Sequence, residues 1–198
     1  MSLEPPQDIL SHIAEVFAPM PKDAVIGVAV SGGSDSVALL LALRAALPQA
    51  QLRAATVDHG LRAEAQQEAH WVRALCANLG IAHSILPACD LPSGPNLQAR
   101  ARRARYDALA AWGRDMACRC LCLGHSQTDV AESFLIRLAR GSGVDGLSEM
   151  RGRWTDRDME WRRPLLVFSR EDLQGFMRAQ GQGWCNDPSN EDAAFMRV

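Results

Sequence analysis

Along the chain, the spacing of apolar residues switches between a helical period and short unbroken runs, and each switch marks an element. Ile9, Leu10, Ile13, Val16 and Phe17 recur on one helix face, predicting a leading helix within residues 5–20 that Pro19 and Pro21 end. Val25-Ile26-Gly27-Val28-Ala29-Val30 is β-branched and uncharged, the pattern of a strand covered on both faces of a parallel sheet. The apolar run 37–43 continues as a helix. Residues 52–57 predict a second strand, with Asp58-His59-Gly60-Leu61-Arg62 as the loop at its carboxyl end. A helix over 63–79 follows, with Trp71, Val72, Leu75 and Leu79 as its buried side and Gly80 as its stop. Residues 81–86 read as a third strand and the proline-rich 87–95 as a loop.

The next helix, 96–112, places Leu97, Ala101, Ala104, Ala108 and Trp112 on one side. Arg102 and Arg105 flank that side, whereas Arg100 and Arg103 point farther round. A guanidinium bordering a buried face needs an anionic partner, so Arg102 and Arg105 either face a cleft or belong to a solvated basic helix. Residues 116–123 predict a fourth buried strand ending in the turn Gly124-His125-Ser126-Gln127-Thr128-Asp129. A helix with Val130, Phe134, Ile136 and Leu138 follows, then a glycine-rich connection over 141–150. Residues 151–164, alternating around Asp156-Arg157-Asp158, suit an exposed hairpin, and Ser169 with Asp172 opens a final helix to residue 180. Residues 181–198 are irregular and polar. Strands alternating with helices predict an α/β fold with a doubly wound, mostly parallel sheet. In such sheets ligands gather beyond the carboxyl ends of the strands. Those ends carry residues 31–36, Asp58 with His59, and residues 125–129.

Composition narrows this picture. At 198 residues, 47% of them hydrophobic, the chain can bury the core of one domain. No apolar run is long enough to span a bilayer and the N-terminus lacks a signal-peptide pattern, so a cytoplasmic protein with no membrane partner is expected. A net charge of −2 provides no global attraction for nucleic acid, so any such contact requires a local patch. Cys118, Cys120 and Cys122 alternate along the fourth strand, as small buried hydrophobes sharing one face would. With six cysteines and no Cys-x-x-Cys pair, reduced core thiols are expected rather than a zinc or redox site.

The candidate chemistry begins at Ser31-Gly32-Gly33-Ser34-Asp35-Ser36, between the first strand and its helix. Two glycines admit backbone angles closed to other residues and leave no side chain between the main chain and a ligand. Together with the unpaired N–H groups of the helix start, the turn forms an anion cradle. No lysine follows, which excludes a Walker loop; Asp35 instead places an anion inside the anion site, sensible if a divalent metal lies between them. Helix capping by Ser34 or Asp35 accounts for one polar residue here, but not for four around two glycines. Ser126 and Asp129 also fit a capping pattern, which would make Asp129 a cap and His125 a loop residue.

The turn resembles the Ser-Gly-Gly-x-Asp-Ser signature of PP-loop ATP pyrophosphatases. From residue 25 onward the chain resembles the N-terminal catalytic domain of the bacterial tRNA(Ile)-lysidine synthase family. The matching blocks are Asp58 to Arg62, Asn96-Leu97, Ala101 to Tyr106, Gly124-His125, Asp129, Glu132, Arg140 to Gly143, Gly146-Leu147, Arg163-Pro164-Leu165 and Asp187-Pro188-Ser189-Asn190. The resemblance implies one catalytic domain over 1–198 with 151–198 at its periphery, and without the tRNA-binding extension usual in the family. It implies ATP and Mg²⁺, with L-lysine and tRNA(Ile) bearing a CAU anticodon as substrates. ATP phosphates would lie on Ser31 to Ser36, with Asp58 and His59 near the adenine. Asp35 and Asp129 would hold magnesium, and Arg102, Arg105 and His125 would contact phosphate or the reacting base. Either a carboxylate or His125 would serve as general base. Thr128, Val130 and Ser133 depart from the family pattern, and Thr128 removes a possible metal carboxylate. The competing expectations are a PP-loop cytidine thiolase and a non-catalytic nucleotide-binding protein.

Overall fold

The computed structural model describes residues 8–58, 63–87, 97–139 and 150–185. His59, residues 141–149 of the glycine-rich connection, the Asp187 to Asn190 block and most of the 87–95 loop lie outside the described residues. Helix α1 (Ile9–Phe17) is capped by the Asp8 carboxylate and buries Ile9, Ile13 and Phe17. The order continues β1 (Val25–Ala29), α2 (Ser34–Ala46), β2 (Gln51–Asp58), α3 (Ala63–Asn78), β3 (Ala82–Pro87), α4 (Leu97–Asp115), β4 (Cys120–Leu123) and α5 (Gln127–Ala139). It closes with β5 (Arg153–Asp156), β6 (Met159–Arg162) and α6 (Arg170–Ala179).

The six strands form one sheet in the order β3-β2-β1-β4-β6-β5, parallel except for the edge strand β5. Ile26, Val28 and Val30 face a core with α1, α2, α3 and α6, while Val25 and Ala29 face a second core against α4 and the hairpin. Helix α2 is buried on every side from Val37 to Leu43, because α1 and α6 cover what the sheet does not. Strand order reverses between β1 and β4, so the loops after these two strands flank the crevice where such sheets take ligands. Among the described residues, no helix is long and apolar enough to cross a membrane.

Three expectations need correction. The hairpin is not an exposed appendage: β6 joins the sheet parallel to β4, Trp161 is fully buried, and buried Arg162 donates to the Val16 carbonyl at 2.9 Å. Its two-residue turn, Arg157-Asp158, has positive φ at both positions, matching the strands' twist. Helix α4 buries Trp112 of the expected side but leaves Ala101, Ala104 and Ala108 half-buried, and it buries Tyr106, Leu109 and Ala110 from outside that side, because the larger side chains fill the space over Leu121, Leu123 and Trp161. Cys118 precedes β4; with Ala117 at φ 53 the chain turns there, and Cys118 falls into the opposite core from Cys120 and Cys122. Helix α5 buries none of its residues, and Phe134 and Leu138 are exposed. The described cysteines are all free thiols, four of them buried, and burial pushes Cys76 and Cys118 up to about 11.

Candidate active site

The β1–α2 turn is braced from within. The Ser36 hydroxyl accepts from the Ser31 N–H at 3.1 Å and donates to the Gly33 carbonyl at 2.9 Å, closing the loop on the first helical turn. Gly32 has φ +98, and its carbonyl accepts from the Cys185 N–H at 3.0 Å. Gly33 is ordinary extended backbone with φ −68, so only one of the two glycines uses a conformation closed to other residues. A Cβ on Gly33 would meet only Ser31 Oγ, at 3.7 Å. Its missing side chain therefore leaves open space above the N–H groups, the space a phosphate needs.

Behind this loop, Gly124 lets the end of β4 press on α2. A Cβ there would stand 2.6 Å from Ser36 Cα and 2.7 Å from the Asp35 carbonyl oxygen. The turns after β1 and β4 are thus in backbone contact, which brings Asp35 and Asp129 to one place. Asp35 is buried rather than solvent-facing, the position a turn residue would have had; its Oδ1 accepts from Ser34 Oγ at 2.8 Å. Asp129 lies in the first turn of α5, where its Oδ2 accepts from the Ser126 N–H at 2.8 Å and from the Ser126 hydroxyl. The capping role and the cleft-facing role coexist, one on each carboxylate oxygen. Between the two aspartates lies Arg170, 3.5 Å from Asp35, 3.0 Å from Asp129 and 3.3 Å from Glu132. Burial pulls the Arg170 pKa down, but Asp35, Asp129 and Glu132 together hold it above its ordinary value.

The opposite side of the crevice is cationic. Arg163, buried at the end of β6, donates through Nε to His125 Nδ1 at 3.2 Å, through Nη2 to the Tyr106 hydroxyl at 3.2 Å and through Nη1 to the Arg151 carbonyl at 3.0 Å. It also lies 4.1 Å over the Trp154 ring. Burial, then the charges of Arg163, Arg105 and Arg102, push the His125 pKa down to about 3. The imidazole is therefore neutral, with Nδ1 accepting and Nε2 carrying the proton. Burial draws the Arg105 pKa below its usual value, Tyr106 opposes this, and Arg102 and Arg163 add to it. Arg102 is exposed and rests on the Tyr106 ring at 5.3 Å. A cleft of about 580 Å³ opens beside this cluster, with Arg102, Arg103, Arg137, Arg151, Arg157 and Arg163 in its walls. This is the local positive patch that the net charge conceals.

The structure thus gathers Asp35 with Asp129, and Arg102 and Arg105 with His125. Asp58 lies at the end of β2, in register with Pro87 of β3. Sequence reasoning gave no role to Arg163 or Arg170. Arg170 carried a readable signal: a basic residue at the first position of a capped helix opposes the helix dipole and so needs carboxylates nearby. The Arg163 signal was weaker, one more charge after a strand that already carries Glu160 and Arg162. Asp35 and Asp129 offer hard oxygen donors from two elements around one point, the donor type magnesium takes, so the residues fit such an ion.

A profile of the PP-loop domain family matches residues 6–198. A tRNA(Ile)-lysidine synthase of Ruegeria pomeroyi is 41% identical over 97% of this chain and 46% of its own length. One from Hyphomonas neptunium is 47% identical over 89% of this chain and 49% of its own, and one from Zymomonas mobilis 39% over 90% and 55%. The chain spans about half the length of these curated relatives. Among solved structures, the U34-tRNA thiolase NcsA from Methanococcus maripaludis with its 4Fe-4S cluster superposes with TM-score 0.74 at 16% identity, covering 90% of this chain and 65% of that one. The NH3-dependent NAD synthetase from Campylobacter jejuni gives 0.56 at 14%, covering 87% and 70%. These two likenesses concern the fold.

Proposed function

The chain belongs to the PP-loop domain family, and from that premise we propose that it uses ATP to join L-lysine to C2 of the first anticodon cytidine of tRNA(Ile) with a CAU anticodon. One observation carries the reading: an open N–H cradle, a carboxylate cluster and an arginine–histidine cluster meet across one crevice, in a chain similar to curated tRNA(Ile)-lysidine synthases. ATP lays its phosphates on residues 31–36, with its adenine toward Asp58 and His59. The cytidine O2 attacks the α-phosphorus and pyrophosphate leaves. The lysine amine then attacks C2, the C2–O2 bond breaks, AMP departs, and the amine gives up its proton. Adenylation is needed because a pyrimidine oxygen is a poor leaving group and AMP a good one.

The residues divide this work by charge. Arg102 and Arg105 offset negative charge growing on the α-phosphate; for Arg105, the more buried of the two, one such donor in a water-poor site is worth about 3–4 kcal/mol. Neutral His125 serves as an N–H donor, since a pKa near 3 leaves it a poor base at neutral pH. The proton from the lysine amine therefore goes to a carboxylate of the acid cluster. Asp35 and Asp129 would hold Mg²⁺, which when bound neutralises charge on the departing pyrophosphate. The cleft walled by arginines takes the phosphates flanking the cytidine.

The test is incubation of this chain with ATP, Mg²⁺, radiolabelled lysine and tRNA(Ile) bearing CAU. Lysine incorporation with AMP release is expected. Sulfur uptake from labelled cysteine would replace the reading with a thiolase, and ATP binding without pyrophosphate exchange would replace it with a nucleotide-binding protein.

A further inference from the structure

Asp35 on α2 and Asp129 and Glu132 on α5 turn toward a single guanidinium. Arg170 meets each with a different nitrogen, Nε at 3.5 Å from Asp35, Nη2 at 3.0 Å from Asp129 and Nη1 at 3.3 Å from Glu132. The far oxygens of both aspartates are already taken, by Ser34 and by Ser126. The oxygens that face Arg170 are thus the less committed donors for an entering cation. Three carboxylates against one guanidinium leave two negative charges, which one divalent cation balances.

We propose that Arg170 is a positioning residue that acts as the resident cation of this cluster, holding the carboxylates in place and yielding its contact with Asp35 when a divalent cation enters. The proposal rests on the reading of Asp35 and Asp129 as magnesium carboxylates. The contact with Asp35 is the longest of the three and hence the first to yield. The Arg170 side chain is 38% exposed, so it can turn aside without opening the core. Its backbone, in contrast, is pinned. The Arg170 N–H donates to Thr128 Oγ1 at 3.1 Å, the Gln127 N–H donates to the Phe168 carbonyl at 2.7 Å, and a capping box joins Ser169 and Asp172. The side chain can therefore move while α5 and α6 keep their places. Thr128, which supplies no carboxylate, acts here as an anchor for α6.

The probe is Mn²⁺ titrated into the nucleotide-free chain and followed by electron paramagnetic resonance, with melting curves in parallel. Arg170→Gln is expected to bind Mn²⁺ about tenfold or more tightly, because a competing unit charge at ion-pair distance is gone. It should melt lower than the parent without divalent cation and recover more of its Tm when Mg²⁺ is added, while Arg170→Lys behaves like the parent. Unchanged or weaker Mn²⁺ binding in Arg170→Gln overturns the proposal, as does a lower Tm that Mg²⁺ does not restore. Asp35→Asn should abolish Mn²⁺ binding. Retained binding there overturns the metal reading and this proposal together, whereas lost binding with no Arg170→Gln effect overturns this proposal alone. None of these measurements involves lysine or tRNA, so a failure of lysine incorporation is a separate result.

Discussion

Gly32 and Gly33 are adjacent yet answer different constraints. Gly32 holds a left-handed backbone beneath Cys185 and Val72, so Gly32→Ala should lower stability by about 1–2 kcal/mol in urea melts. Gly33 is extended and faces open space, so Gly33→Val should change stability by no more than about 1 kcal/mol, the scale of a lost cap preference. The added side chain would nevertheless fill the cradle, and ATP affinity by calorimetry should fall at least about tenfold, roughly the 1.4 kcal/mol that a factor of ten represents. Undiminished affinity would place the phosphates elsewhere. At His125 the expected observation is an imidazole that stays neutral: its NMR shifts should hold constant from pH 8 down to about 5, whereas a free histidine would titrate near 6.5.

At the scale of elements, two local structures serve the crevice from outside it. Helix α6 delivers Arg170 through a capping box in which the Ser169 side chain accepts from the Asp172 N–H at 3.1 Å. Ser169→Ala should cost about 0.5–2 kcal/mol and, by fraying the first turn, weaken the hold of Arg170 on Asp129. The β5–β6 hairpin is an integral part of the sheet. Trp161 is fully buried, stacks on Trp154 at 5.9 Å and packs against Tyr106 at 4.9 Å. Trp161→Ala should therefore cost about 3–5 kcal/mol in denaturant unfolding. A surface hairpin would lose almost nothing, so a change below about 1 kcal/mol would contradict β6 as a sheet member.

For the whole molecule, two histidines link folding to acidity. His125 is pushed down to about 3, and His83, half-buried and near Arg73, to about 4. In the unfolded chain both take protons near 6.5, while in the folded chain they resist, so the unfolded state binds more protons below that pH. Their effect is absent above about 6.5, and stability should drop steadily as pH falls from 6.5 toward 4. Chemical denaturation at pH 7.5, 6 and 5 checks this, and a flat profile would contradict it. The order of strands and helices, the edge where polar groups collect and the Ser31–Ser36 cradle were legible in the chain, because burial on both faces of a parallel strand and the turn that follows it are local patterns. The side of α4 that turns inward, the place of β6 beside β4, and the meeting of Arg170 with Asp35 and Asp129 were not. Each depends on residues distant in sequence competing for one volume or one charge, and only closure of the fold decides which of them prevail.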